Sequence, residues 1–184
     1  GQKWTALIVR DQTELRASME ELKKAQEKAI RLASFDDLTH VLNRRVFVER
    51  LREEVERGRR ESAPTGLILM DVDYFKSIND TYGHLAGDHV LRRFALTVKK
   101  HLRPYDILGR FGGDEFIVCL PSTTLEASAL IAERLRGSIS AMKIQYQRQP
   151  IAVTASLGVT ACTATAECKG VDHLILRADK ALYM

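Results

Sequence analysis

Asp71 and Asp73 follow a short apolar run, Leu67-Ile68-Leu69-Met70, and precede Lys76. Residues at i and i+2 of a strand project to one face, so both carboxylates leave the strand end together. Such a pair suits magnesium, which takes one or two carboxylates and fills its shell with substrate phosphates. Lys76 adds a cation for phosphate. An exposed acidic strand end with a surface lysine fits the same residues. A second group is Gly112-Gly113-Asp114-Glu115. Two glycines let a backbone pass close to a ligand or take up a positive φ, and the two acids complete a metal site if this turn lies beside the Asp71 strand. An ordinary tight turn with solubilising acids is the other reading. In the third group, Asn79 and Asp88 offer an amide and a carboxylate. A carboxylate accepts from guanine N1–H and N2–H, and an amide meets O6 or N3. Asp88 equally suits a helix cap.

These groups need elements to carry them. The Leu67–Met70 run predicts a strand buried on both faces. A helix follows Gly83–Gly87, with Val90, Leu91, Phe94, Ala95, Val98 and Leu102 as its apolar stripe and Pro104 as its stop. Ile107–Phe111 and Phe116–Leu120 flank the Gly-Gly turn and predict a β-hairpin. Asp36–Val55 reads as a turn and then a helix, with a polar loop at Gly58–Pro64. Thr123-x-x-Glu126 predicts a capping box for a helix reaching about Ser140. Ile151–Thr160 reads as one strand and Val171–Met184 as a last helix. The sum is an α+β domain over residues 35–184, a central mostly antiparallel sheet flanked by helices. Ahead of it, residues 14–34 form a helix with Leu15, Leu22 and Ala29 at one seam position and Ser18, Ala25 and Leu32 at the other, a short coiled-coil-like signalling linker. Residues 1–13, with the strand-like Trp4–Val9, read as the tail of an upstream sensor domain resembling a PAS domain.

The chain has 184 residues, 45% hydrophobic and 28% charged, which is globular composition and excludes disorder as the general state. No apolar run reaches the roughly 20 residues of a membrane helix, so no membrane contact is expected of this stretch. It reads as cytoplasmic, though a longer parent could be anchored upstream. The net charge of +4 comes from Arg and Lys interleaved with Glu, as along Glu49–Arg60. That pattern fits solvated helix faces rather than nucleic-acid binding. Cys119 ends an apolar run and reads as a buried thiol.

The order and spacing of these groups resemble the GGDEF family of diguanylate cyclases. The resemblance covers Asp36 to Met184. It includes Asp36-Asp37-Leu38-Thr39-His40-Val41-Leu42-Asn43-Arg44-Arg45, Asp71-Val72-Asp73-Tyr74-Phe75-Lys76-Ser77-Ile78-Asn79-Asp80, Gly83-His84, Gly87-Asp88 and Gly112-Gly113-Asp114-Glu115-Phe116 after Arg110-Phe111. Ser156-Leu157-Gly158-Val159 and Arg177-Ala178-Asp179-x-Ala181-Leu182-Tyr183 fit as well. The resemblance implies a nucleotidyl-cyclase or polymerase-palm-like fold. It implies an enzyme that condenses two GTP into cyclic di-GMP and two pyrophosphates, with magnesium or manganese bound, as a homodimer whose two domains each hold one GTP.

The same resemblance implies the residue roles. Asp71, the Val72 carbonyl, Asp114 and Glu115 would hold metal. Asp114 would be the general base, with Glu115 supporting the site and Lys76 stabilising phosphate charge. Asn79, Asp88, His84 and Phe75 would bind the nucleotide, and Gly112 and Gly113 would let the turn approach the phosphates. Arg103-Pro104-Tyr105-Asp106 matches the family's R-x-x-D inhibitory product site, with Arg57 supplying a second arginine across a dimer. His40-Val41 replaces the usual Gly-Leu, and the family's A-K-x-x-G-R-N stretch would lie beyond Met184, leaving the domain truncated at its C-terminus. The rival reading is a catalytically silent domain that binds GTP or cyclic di-GMP.

Overall fold

In the computed structural model of the protein, the described residues are 16, 19–26, 33–163 and 170–183. The chain divides into two compact units, Gly1–Phe35 and Asp36–Met184. In the first, residues 19–26 are helical. Of the expected seam positions, Leu22 and Ala25 fall among the described residues, and Leu22 is exposed. The strand expected at Trp4–Val9 lies outside them.

The second unit is built around β2 (Thr65–Val72), a strand that extends beyond the Leu67–Met70 run on both sides. Successive strand side chains alternate in direction, and both faces are covered. Ile68 and Met70 pack with Phe94 of α3 (His84–Lys100) and Leu135 of α4 (Leu125–Ser140). Leu67 and Leu69 pack with Phe47 and Leu51 of α1 (Arg44–Glu61) and Leu174 of α5 (Val171–Leu182). The sheet is thus the middle of three layers, which is why its strands read as unbroken apolar runs.

The strand order is β1-β3-β4-β2-β7, with β1 (Leu42–Asn43), β3 (Ile107–Arg110), β4 (Glu115–Pro121) and β7 (Ala155–Cys162). The β1–β3 pairing is parallel and the other three are antiparallel. Phe94 and Phe116 stack across the α3 face at 4.8 Å between ring centroids. Cys119 is buried in β4, and burial pushes its thiol up out of the reactive range.

Several local expectations are corrected. α1 runs through Gly58 to Glu61 and ends where Ser62 turns left-handed and donates its amide to the Gly58 carbonyl, so the expected 58–64 loop shrinks to a few residues. The cap of α4 is Thr124 and not Thr123: the Thr124 hydroxyl accepts from Ala127 N at 3.3 Å, while Thr123 turns back to donate to the Pro121 carbonyl. The single strand expected over 151–160 is two. β6 (Gln149–Ile151) pairs with β5 (Ile144–Tyr146) as a separate two-stranded sheet, and β7 starts at Ala155. A helix the sequence reading did not single out, α2 (Phe75–Tyr82), follows β2 after Tyr74 takes a left-handed φ of 55°.

Candidate active site

The register of β2 against β4 sets Asp71 opposite Glu115, and the Val72 amide donates to the Asp114 carbonyl at 3.3 Å. Directly opposed residues hold their Cβ atoms about 4.5–5.5 Å apart. Asp71, Val72, Asp114 and Glu115, widely separated in sequence, therefore meet at one end of the sheet. Partial burial pushes the Asp71 carboxyl up to about 6, and the negative charges of Asp114, Glu115 and Asp73 add to the shift.

The turn between β3 and β4 is closed by the Phe111 and Gly112 amides, which donate to the Glu115 carbonyl at 2.8 and 3.3 Å. The Glu115 carboxylate folds over Gly112 and fills the place a Cβ would take, whereas Gly113 faces open space. Neither glycine has a positive φ. Their use here is close approach, and the left-handed conformation that a Gly-Gly turn allows is not taken up.

Among the described residues, no group of three or more His, Cys, Asp or Glu side chains is arranged to hold a metal ion. The expected three-carboxylate set is thus not preformed. The donors nonetheless suit a hard divalent cation: they are carboxylates with uncompensated charge, and magnesium asks for only one or two beside phosphate oxygens. Asp73 is engaged elsewhere. Its Oδ2 accepts from the Thr154 hydroxyl and its Oδ1 from the Ser156 hydroxyl, both at 2.7 Å. It pins the end of β2 to the start of β7, so the two carboxylates do not work as the pair their i, i+2 spacing suggested.

On the other side of the β2–α2 turn, α2 crosses α3 at Gly87. A Cβ there would collide with Asn79 Oδ1 and lie 3.1 Å from Phe75 Cζ. Close approach at a glycine thus brings Phe75 and Asn79 against the turn of helix that carries Asp88. Asp88 is the fifth residue of α3 and not its cap; Gly83 holds that position, at φ 85°. Asp88 lies 3.9 Å from Arg92, one turn on. Lys76 and His84 are exposed, each near the start of its helix.

Arg103 and Asp106 form a turn of their own. Arg103 N donates to Asp106 Oδ2 at 2.8 Å, and Asp106 N donates to the Arg103 carbonyl at 3.1 Å. Asp106 Oδ1 is buried with no hydrogen-bond partner among the described residues, and burial pushes the carboxyl up against the pull of Arg103 and Arg134. Arg57 is paired with Glu54 at 2.6 Å.

Two residues escaped the sequence reading as site components. Arg134 of α4 acts on Asp106. Tyr183, just past α5, has its phenol pushed up by the charge of Asp71, by desolvation and by the charges of Asp179, Glu115 and Asp114. The α5 backbone lies on Gly158, where a Cβ would be 2.6 Å from Leu182 N. Neither position carries a local pattern, since both depend on tertiary docking.

Residues 33–184 match the family described as diguanylate cyclase, GGDEF domain. The chain belongs to the GGDEF family. It is 44% identical over 148 residues to the diguanylate cyclase DgcP of Pseudomonas aeruginosa, covering 80% of this chain and 22% of that protein. It is 36% identical over 177 residues to the response regulator PleD of Caulobacter vibrioides, covering 95% of this chain and 38% of that one. The chain thus spans less than half the length of these relatives. The solved coiled coil and GGDEF domain of DgcB from Caulobacter crescentus, in complex with c-di-GMP, superimposes with a TM-score of 0.83 at 28% identity, covering 93% of this chain and 90% of that chain. The meeting of Asp71 with the GGDEF turn is therefore a feature of a GGDEF domain. No helix among the described residues is long and apolar enough to cross a membrane.

Proposed function

We propose that this domain is a diguanylate cyclase that joins two GTP into cyclic di-GMP, releases two pyrophosphates, and works as a homodimer with one GTP on each domain. The observation that carries the reading is the Asp71–Glu115 register, which places the acids of two distant motifs together beside an open glycine. Asp71, the Val72 carbonyl, Asp114 and Glu115 would hold a divalent cation. When bound, that cation neutralises charge on the triphosphate and favours the 3′-alkoxide.

The chain's own residues do the rest. Asn79 and Asp88 fix the guanine edge, with Phe75 behind them and His84 lining the site. Lys76 meets phosphate charge, and Gly113 lets the turn come close. Asp114 takes the 3′-hydroxyl proton as the 3′-oxygen bonds to the α-phosphorus of the other GTP. The bond from that phosphorus to pyrophosphate breaks, and the step occurs twice. Incubation with GTP and magnesium, followed by chromatography, tests the reading; absence of cyclic di-GMP from a confirmed dimer stripped of bound product refutes it.

The Arg103–Asp106 turn supports product inhibition. Arg103 and Arg134 bring positive charge for phosphate beside Asp106. Arg57 would join from a second domain after leaving Glu54. Residues 14–34 would act as the linker that sets the dimer, following a sensor whose tail is residues 1–13, in a cytoplasmic setting.

A further inference from the structure

Arg110 ends β3, and its guanidinium is shared between two partners far apart in sequence. Nε and Nη2 donate to the Gly113 carbonyl at 3.2 and 2.6 Å. Nη1 donates to both carboxylate oxygens of Asp36, each at 3.1 Å. The pair is largely shielded, with side chains 16% and 23% exposed. Charge-assisted bonds in such a setting are stronger than neutral ones.

Each partner is anchored to something that matters. Asp36 is the first residue of the compact domain. Its Oδ1 also accepts from the Thr39 amide and hydroxyl at 2.8 and 2.6 Å. Its backbone is tied to Val41 and His40, each at 2.8 Å. Partial burial works to push the Asp36 carboxyl up, but the Thr39 and Arg110 bonds outweigh it and hold it below the usual range.

At the other end, the Gly113 carbonyl belongs to the peptide that leads into Asp114. A peptide is planar, so fixing its oxygen also fixes the Asp114 N and Cα. The Gly113 side of the turn has open space around it and offers no packing to hold that plane.

We propose that Arg110 is a positioning residue for the catalytic turn. It sets the Gly113–Asp114 peptide and, through the same guanidinium, makes the stance of Asp114 depend on the Asp36–Thr39 turn where the chain enters the domain. Lysine cannot replace it, because one ammonium is a point charge and cannot span both partners as a planar fork does.

The kinetic arm of the test rests on the cyclase reading; the structural arm does not. Arg110→Lys, Asp36→Asn and the double variant are made in the full-length protein. Without nucleotide, hydrogen exchange of the Phe111 and Gly112 amides is expected to rise about tenfold in each single variant, while β2 amides stay as protected as in the wild type. With GTP and magnesium, kcat is expected to fall about 10–100-fold with KM for GTP within about threefold. The double variant should be no worse than the worse single one, as for two residues acting through one contact. Unchanged exchange in Arg110→Lys, or a loss of kcat that only tracks loss of folded protein, overturns the proposal. Additive single effects overturn its Asp36 half. If Arg110→Lys does not fold, Asp36→Asn carries the same comparisons. If the wild type makes no cyclic di-GMP, the cyclase reading fails and hydrogen exchange still decides the role of Arg110.

Discussion

Asp71 and Glu115 stand directly opposite each other at the end of two antiparallel strands, so the fold holds two like charges side by side. Partial burial, with the charges of Asp114, Glu115 and Asp73 added, raises the Asp71 carboxyl from 3.8 to about 6. A raised folded pKa means the folded domain holds this proton more tightly than the unfolded chain does. The stability of the metal-free domain should therefore fall as pH rises through the window from 3.8 to about 6, and remain lower above it. Asp71→Asn should be more stable than the wild type at pH 7.5 in chelator, with the gap closing near pH 4. Urea unfolding at both pH values checks this, and a less stable variant at pH 7.5 contradicts it. Magnesium or manganese should raise Tm in the wild type and not in Asp71→Asn.

Asp114→Asn should abolish turnover by about 10²–10⁴-fold, the range for losing a general base. The fold should survive, because the Asp114 contact to Val72 is made by its main-chain carbonyl. Product chromatography beside a thermal melt separates the two effects.

Gly158→Ala should cost about 1–3 kcal/mol or more, since the added methyl meets α5 main chain and not a movable side chain. Gly113→Ala should leave stability within about 0.5 kcal/mol, since nothing lies near the new atom. Equilibrium unfolding of both variants tests the contrast; equal costs would mean that α5 docks less closely than it is seen to.

Arg103→Ala should weaken cyclic di-GMP binding by about 10–100-fold, the worth of a charge-assisted bond to phosphate. Initial turnover should be unchanged, because Arg103 belongs to a separate turn. Calorimetric titration with cyclic di-GMP gives the first number, and initial rates give the second. No change in affinity removes the product site.

His40→Gly should stabilise the domain by about 1 kcal/mol. His40 sits at φ 57°, in the region where a side chain is strained and glycine is not. Chemical denaturation measures the gain; a loss would show that the imidazole makes a compensating contact.

The parts of the fold that were legible are those with local signatures. The buried strand announced itself by Leu67–Met70, the hairpin by its glycines, and α3 by its apolar stripe. α2 was obscured because its start depends on a left-handed Tyr74, a residue with no helix-start signature. The break between β6 and β7 interrupts a run of strand-like residues at 152–154, where Thr154 is drawn off to bind Asp73. At the site, the sequence showed which acids carry charge but not which are already occupied. Asp73 looked like the partner of Asp71, and only the arrival of Thr154 and Ser156, more than eighty residues later, shows that each of its oxygens accepts a hydrogen bond there. Asn79 and Asp88 could be paired from their types, while the crossing at Gly87 that brings them together is a packing event.

The position of β2 between β4 and β7 also bears on how the protein is made. Asp71 lies on a strand whose neighbours are drawn from residues 115–121 and 155–162, so its surroundings cannot assemble from local pairing. A nascent chain that has emerged only as far as Pro121 can form the hairpin beside Asp71, but it leaves Asp73 without Thr154 and Ser156. Pairings of this kind close late, after long loops have been gathered. Asp73 thus stays unfixed until the chain has emerged past Ser156, while Asp71 can already face Glu115.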